Sequence, residues 1–354
     1  MARSQSPLDP QDRNACPRPP LALHPVRAVV TGGAGFIGSH LVEELLGRGD
    51  AVHVVDDLST GCIDNLAAVA THPKLRVTVA SVADPLVAAR LCQDADIIFH
   101  LAGVVGVQRL ATEPLAVMQC NLHSTERVVA AAAAAKVPVL LTSSSEVYGD
   151  GQVPFREQDP VRPGATEGLR GGYACAKAMG EWLAFGHAEQ TGLPVVVVRL
   201  FNTVGPRQSG DHGMVLPRFV AQALRGDAIT VYGDGEQTRC FAHVGEVVKA
   251  LADLAMAPGA AGRVFNVGSE IETSVWQLAQ LVRERANSRS PIVRVPFAEV
   301  FPVGFVDPIR RVPSLVRLRA TIGWAPSAQL SAIVDELVAA GRAELGVAGA
   351  ASVR

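Results

Sequence analysis

Three glycines at three-residue spacing, Gly32, Gly35 and Gly38, stand between an apolar run (26–30) and an amphipathic one (36–46). That order specifies a buried strand, a tight turn and the start of a helix. Glycine lets a backbone bend sharply and come close to a ligand with no Cβ in the way. The helix start, with Phe36 and Ile37 in its first turn, offers N–H groups without intrahelical acceptors and the positive end of the dipole, a combination that suits a pyrophosphate. A second apolar run, 51–55, ends in Asp56 and Asp57. Asp56 lies 21 residues beyond Gly35, where an acid is expected to meet an adenine ribose hydroxyl. Two acids with no arginine beside them favour NAD over NADP. A structural turn with a capping Asp is the plainer alternative, and the second strand weighs against it.

The glycine turn opens an alternation that runs through half of the chain. Apolar runs at 75–80, 96–100, 137–142 and 193–200 read as strands, and the stretches 84–92, 113–136 and 171–190 as helices. Continuously apolar strands separated by helices predict a parallel sheet covered on both faces, a doubly wound α/β fold of Rossmann type. From about 202 the rhythm changes to short strands (229–232, 264–267, 292–295) between loops rich in glycine and proline. Helices are expected at 214–225, 245–256, 273–286 and 327–340. The reading is an NAD-binding domain over 26–201 and a smaller C-terminal α/β subdomain over 202–345 that binds substrate, with some interleaving. Residues 1–25, polar and proline-rich, are expected to be a disordered tail, and 346–354 to fray.

Charge and composition narrow the class of partner. With 32 basic against 34 acidic residues the chain has no field for nucleic acid or an anionic membrane. No apolar run reaches the length of a membrane span. The six cysteines are scattered, without a C-x-x-C pair, so neither a metal site nor a disulfide framework is expected, and a cytoplasmic location is.

Lysine and tyrosine are scarce, which sharpens Tyr173 and Lys177, spaced to share one face of a helix. A phenol titrates near ~10 and is a poor base at neutral pH. A neighbouring ammonium and a cationic nicotinamide favour the phenolate, which can then exchange a proton with a sugar hydroxyl. A surface cation beside a packed aromatic would give the same spacing. Upstream, Ser143, Ser144, Ser145 and Glu146 follow an apolar strand and therefore emerge at the carboxyl edge of the sheet. The serines either bind a substrate oxygen or cap the loop. Glu146 offers a carboxylate that acts as a base or orients another carboxylate.

With these residues in place the chain resembles the extended short-chain dehydrogenase/reductase superfamily, in its nucleotide-sugar epimerase, dehydratase and decarboxylase branch. The resemblance spans 26–326. It rests on Thr31–Gly38, Asp56–Asp57, His100-Leu101-Ala102, Asn121, Ser143–Gly149, Tyr173 with Lys177, Arg199–Arg207, Thr230–Gly235, Gln237-Thr238-Arg239 and Gly323–Pro326. It implies a tightly bound, recycled NAD that Leu101, Ala102 and Asp84 help to hold. It further implies Asn202 on the substrate's β-phosphate, Arg239 and Arg311 as diphosphate clamps, Tyr232 at the base or ribose, and a homodimer built on a four-helix bundle.

Glu146 helps to sort the reactions of this branch. Sugar 4,6-dehydratases carry Asp-Glu where this chain has Ser145-Glu146, and UDP-galactose-type 4-epimerases carry a small or hydroxyl residue at Glu146. The Ser-Glu-Val-Tyr-Gly motif most resembles UDP-glucuronate decarboxylases. The expected reaction is oxidation at sugar C4, loss of carbon dioxide from C6 with Ser144 or Ser145 supporting the C4 oxygen, and reduction to UDP-xylose, with release of the 4-keto pentose left open. A 4-epimerase is the alternative, and a dehydratase a more distant one.

Overall fold

The computed structural model describes residues 25–166, 169–210, 213–301 and 308–351. The expected N-terminal tail, apart from its last residue, lies outside the described residues.

β1 (Arg27–Thr31), α1 (Phe36–Gly47), β2 (Ala51–Asp56), β3 (Leu75–Val79) and α2 (Pro85–Leu91) form the first half of the nucleotide lobe. β4 (Ile97–His100), α3 (Val107–Thr112), α4 (Pro114–Ala135), β5 (Val139–Ser144), α5 (Leu169–Thr191) and β6 (Val195–Leu200) follow. β7 (Thr203–Val204), α6 (Val215–Arg225), β8 (Ile229–Tyr232), β9 (Thr238–Cys240) and β10 (Ala242–His243) lead into α7 (Val244–Met256) and β11 (Arg263–Val267). The chain ends with β12 (Glu272–Ser274), α8 (Val275–Arg285), β13 (Ile292–Val295), α9 (Phe297–Val300), α10 (Val316–Ile322) and α11 (Leu330–Ala351).

Seven strands form one sheet in the order β11-β6-β5-β4-β1-β2-β3, and every neighbouring pair is parallel. The strand order reverses between β1 and β4, which opens a crevice at their carboxyl ends. β4 is buried at all four positions, as its continuous apolar sequence requires of a strand covered on both faces. One apolar layer joins β1, α1, α7 and α10; the other joins β4, β5, β6, α4 and α5. A third core, of α6, α8, α11 and β8, belongs to the C-terminal lobe.

The change of rhythm near 202 is not a clean cut. After β10 the chain returns to the nucleotide lobe, where α7 packs on α1 and β11 extends the central sheet beside β6. A short strand read from sequence as part of the smaller lobe, 264–267, is this seventh strand. Local sequence cannot say which sheet edge a strand joins. α11 also continues past 340 to Ala351, since its alanine-rich end favours helix.

Candidate active site

The crevice between β1 and β4 broadens into a cavity of about 890 Å³ bounded by both lobes. Gly32, Gly35, Phe36, Ile37 and Gly38 line one end. Gly32 and Gly38 are required by packing. A Cβ at Gly38 would lie 2.1 Å from the Gly32 carbonyl oxygen, and one at Gly32 would lie 2.7 Å from the Ala102 nitrogen on a backbone at φ +71°. The start of α1 thus approaches the turn, and any ligand there, as closely as backbone can. Asp56 ties this end together. Its carboxylate accepts from the Ala34 N–H at 2.9 Å and the Leu58 N–H at 2.8 Å. Burial raises its proton affinity above the ordinary carboxylate value, against those two bonds.

Asp57, Leu101 and Ala102 also line the cavity, as do Ala80, Ser81, Val82 and Ala83. Asp84 does not stand with them. It caps α2, accepting from the Leu86 N–H at 2.8 Å. The loop before it supplies the wall, because a carboxylate at an N-cap is drawn to the helix N–H groups.

The catalytic candidates gather at the middle of the cavity. β5 delivers Ser143, Ser144, Ser145 and Glu146 to the carboxyl edge, and α5 brings Tyr173 and Lys177 across from them. Tyr173 is 9 % exposed. Burial pushes its phenol above the ordinary value; a hydrogen bond with Ser144 and the charge of Arg311 oppose this, and Glu146 reinforces it. Burial lowers Lys177 to about 8, and its ammonium donates to the Thr142 carbonyl at 3.2 Å. A Cβ at Gly103 would sit 2.5 Å from Asn121 Oδ1 and 3.3 Å from Lys177 Nζ, so these two groups converge on one wall. Asn121 Oδ1 is buried there without a hydrogen-bond partner among the described residues.

Arg311 lines the same cavity and is engaged by a carboxylate. Its Nη1 donates to Glu146 Oε1 at 2.7 Å, and the pair is largely buried. The segment carrying Arg311 is strapped to the nucleotide lobe. The Phe155 N–H donates to the Val312 carbonyl at 2.8 Å, and the Ser314 N–H to the Phe155 carbonyl at 2.7 Å. This strapping brings together residues 165 apart in sequence, and no local pattern encodes it.

The remaining candidates also line the cavity. Asn202 donates to the Cys240 carbonyl at 3.2 Å. The Arg239 guanidinium, buried, donates to the Thr238 and Pro308 carbonyls at 2.7 and 2.9 Å. The Tyr232 ring meets Phe301 edge-on, and the Arg218 guanidinium lies 4.0 Å over it. Arg218 was not foreseen; its place one turn into α6 gives no local sign of chemistry.

Two further networks escaped the sequence reading. Behind the serines, Ser143 donates to Glu181 Oε1 at 2.5 Å, and Arg199 grips the same carboxylate at 2.6 and 2.9 Å. Glu181 follows Lys177 by four residues, so helical spacing alone could have placed it on this face. Under the sheet edge, His100 shares hydrogen bonds with the Thr31 hydroxyl at 2.8 Å and the Thr125 hydroxyl at 3.2 Å, and burial lowers it to about 3.

A glycine turn without room for a Cβ, an acid at the end of β2, and a buried Tyr and Lys at the switch point of a parallel sheet fit a dinucleotide. The model of the NAD dependent epimerase/dehydratase family matches residues 28–268. The chain belongs to that family. Its cofactor is NAD. A UDP-N-acetyl-alpha-D-glucosaminuronate decarboxylase of Bacillus cytotoxicus is 40 % identical over 306 residues, 85 % of this chain and 93 % of the relative. UDP-glucuronic acid decarboxylase 1 of Arabidopsis thaliana is 35 % identical over 311 residues, 86 % of this chain and 67 % of the relative. Among solved structures, UDP-glucose 4-epimerase of Thermotoga maritima with UDP-glucose superposes with a TM-score of 0.81 at 28 % identity, covering 90 % of this chain and 99 % of that one. Among the described residues of this family member, no helix is long and apolar enough to cross a membrane and no His, Cys, Asp and Glu cluster could hold a metal ion.

Proposed function

We propose that this chain is an NAD-dependent decarboxylase that converts UDP-glucuronate to UDP-xylose and carbon dioxide. The observation that carries this reading is the Glu146–Arg311 pair beside Tyr173. A guanidinium placed next to the proton-transfer group is what a substrate with a carboxylate at C6 and its reacting carbon at C4 requires. The names of relatives at 35 % identity support it, and that of the relative at 40 % supports decarboxylation of a UDP-uronate.

Bound in the cavity, with the start of α1 and Asp56 holding its adenosine diphosphate half, NAD supplies reversible oxidation at the sugar C4. The protein's own residues do the rest. Tyr173 takes the O4 proton as the C4 ketone forms. The Ser144 hydrogen bond and the Arg311 charge oppose the burial that disfavours the phenolate, and Lys177, on the same helix, adds a cation to the cavity wall. Arg311 aligns the C6 carboxylate β to that ketone. The C5–C6 bond then breaks, carbon dioxide leaves, and the electron pair moves into the C4 carbonyl to give an enolate. Ser144, hydrogen-bonded to Tyr173, and Ser145 stabilise the developing charge on the C4 oxygen. A proton taken up from solvent reaches C5, with the Glu146 carboxylate placed to relay it, and Tyr173 returns its proton when C4 is reduced. Asn202, Tyr232 and Arg239 hold the UDP half.

A second uronate is favoured by one observation. The relative at 40 % identity is named for the N-acetylated sugar. Purified protein is to be given UDP-glucuronate, UDP-N-acetylglucosaminuronate and UDP-glucose separately, with carbon dioxide and nucleotide-sugar products measured. Carbon dioxide from the first substrate supports the proposal, and from the second alone it moves the substrate to the N-acetylated sugar. Conversion of UDP-glucose to UDP-galactose, with both uronates untouched, would make the chain an epimerase.

The same reading puts the enzyme in the cytoplasm, on the strength of the free cysteines among its described residues. It makes the enzyme a homodimer through α4 and α5, which pack together and expose Leu115, Met179 and Trp182. Light scattering behind a sizing column reads the mass, and a monomer at micromolar concentration would count against the dimer.

A further inference from the structure

Arg207 follows β7 on a left-handed backbone at φ +68°, a conformation that a long side chain keeps only when its surroundings over-determine it. Its surroundings do so. Nη2 donates to both oxygens of Glu43, at 2.7 and 2.9 Å. Nη1 donates to the Ser39 hydroxyl at 3.0 Å and the Asn65 carbonyl at 3.1 Å. All these partners belong to the nucleotide lobe, while Arg207 comes from the chain beyond β6. Ser39 and Glu43 lie one turn apart on α1. Asn65 lies in the 3-10 segment Ile63–Val69, and its Nδ2 donates in turn to the Ala34 carbonyl in the glycine turn at 2.8 Å. Arg207 and Asn65 both line the cavity at this end. The ion pair is only about one quarter exposed, 25 % for Arg207 and 27 % for Glu43, so solvent screens it less than a surface pair.

One side chain therefore fastens the first turns of α1, the glycine turn and the 63–69 segment to the opposite lobe. Gly35, Ile37, Gly38 and Asn65 of these pieces line the cavity where the start of α1 would hold a dinucleotide. We propose that Arg207 is a latch that governs how long NAD stays bound. It is a positioning residue, acting through α1 and Asn65 and touching none of the reacting atoms. The inference rests on NAD as cofactor and is independent of which sugar reaction the enzyme performs.

The test uses NAD-loaded protein and follows exchange of the bound cofactor against isotopically labelled NAD, alongside melting with and without added NAD. Loss of a bidentate, partly buried charge pair acts mainly on dissociation, so Arg207→Ala is expected to speed exchange by about 10–100-fold. The gain in melting temperature on adding NAD should shrink at the same time. Arg207→Lys, which keeps the charge and loses the fork, should fall between wild type and Arg207→Ala. Glu43→Gln should speed exchange less than Arg207→Ala, and the double variant should be no faster than Arg207→Ala alone. A tie that serves only the fold would lower melting equally with and without NAD and leave exchange within about twofold of wild type; that result in Arg207→Ala and Glu43→Gln overturns the proposal. Should Arg207→Ala fail to fold, the exchange rate of Glu43→Gln decides the question by itself.

Discussion

Arg311→Gln separates two roles for the same guanidinium. The family resemblance puts Arg311 on the diphosphate of the substrate; the geometry puts it on Glu146, beside Tyr173. At 7 % exposure Arg311 makes its contacts in a poorly screened setting. A charge-assisted hydrogen bond there contributes about 1.5–3 kcal/mol, and at about 1.4 kcal/mol per factor of ten this is a change of roughly 10–150-fold in affinity. If Arg311 reads the C6 carboxylate, Arg311→Gln weakens UDP-glucuronate by that factor and leaves UDP-glucose, which carries a hydroxymethyl group instead, nearly unchanged. The assay is calorimetric titration of NAD-loaded protein with each nucleotide sugar, which needs no turnover. Two side effects follow from the same geometry. Glu146 loses its cationic partner and Tyr173 loses a charge that favours its ionised form, so turnover falls beyond the loss in binding. Equal weakening of both ligands would return Arg311 to the diphosphate and refute the carboxylate role.

Tyr173→Phe should keep its bound NAD and its melting temperature while turnover falls by about 10²–10⁴-fold; rates within tenfold of wild type would remove Tyr173 from proton transfer. Gly38→Ala forces a Cβ to within 2.1 Å of the Gly32 carbonyl, so the variant should purify without cofactor, as read by nucleotide extraction from denatured protein. His100, buried and lowered to about 3, stays neutral in the folded chain across a range in which the unfolded chain protonates it below about 6.5. The unfolded state then binds the extra proton, so stability should fall as pH drops from about 6.5 toward 3, by up to about 1.4 kcal/mol per pH unit from this group. Denaturant titrations of wild type and His100→Asn across that window should differ in slope, and parallel profiles would dismiss the contribution.

Much of the site was legible because its chemistry is local. The glycine spacing, the acid closing the second strand and the Tyr–Lys pair each lie within one turn or one helix face, where periodicity alone places side chains together. The misplacements have a common cause. Asp84 reads as an acid near the cofactor, yet the helix it begins supplies the Leu86 N–H, which holds it as a cap. The strand at 264–267 reads as part of the smaller lobe, yet edge pairing with β6 draws it into the central sheet. Burial also works against an expectation drawn from charge alone. Lys177 and the cofactor's cation are expected to favour the Tyr173 phenolate, while desolvation, a property of packing, opposes it.

By itself, then, the sequence determined the nucleotide lobe: a parallel doubly wound sheet, a dinucleotide turn at its switch point, and a tyrosine and lysine on one helix face. Hydrophobic periodicity and short spacings act over a few residues, and they leave their pattern in the order of the chain. Only the tertiary structure decided which groups from distant segments meet. It set Arg311 against Glu146 across 165 residues and closed Arg207 onto α1 across 164. Such contacts depend on how loops are strapped between lobes, and no local period records them.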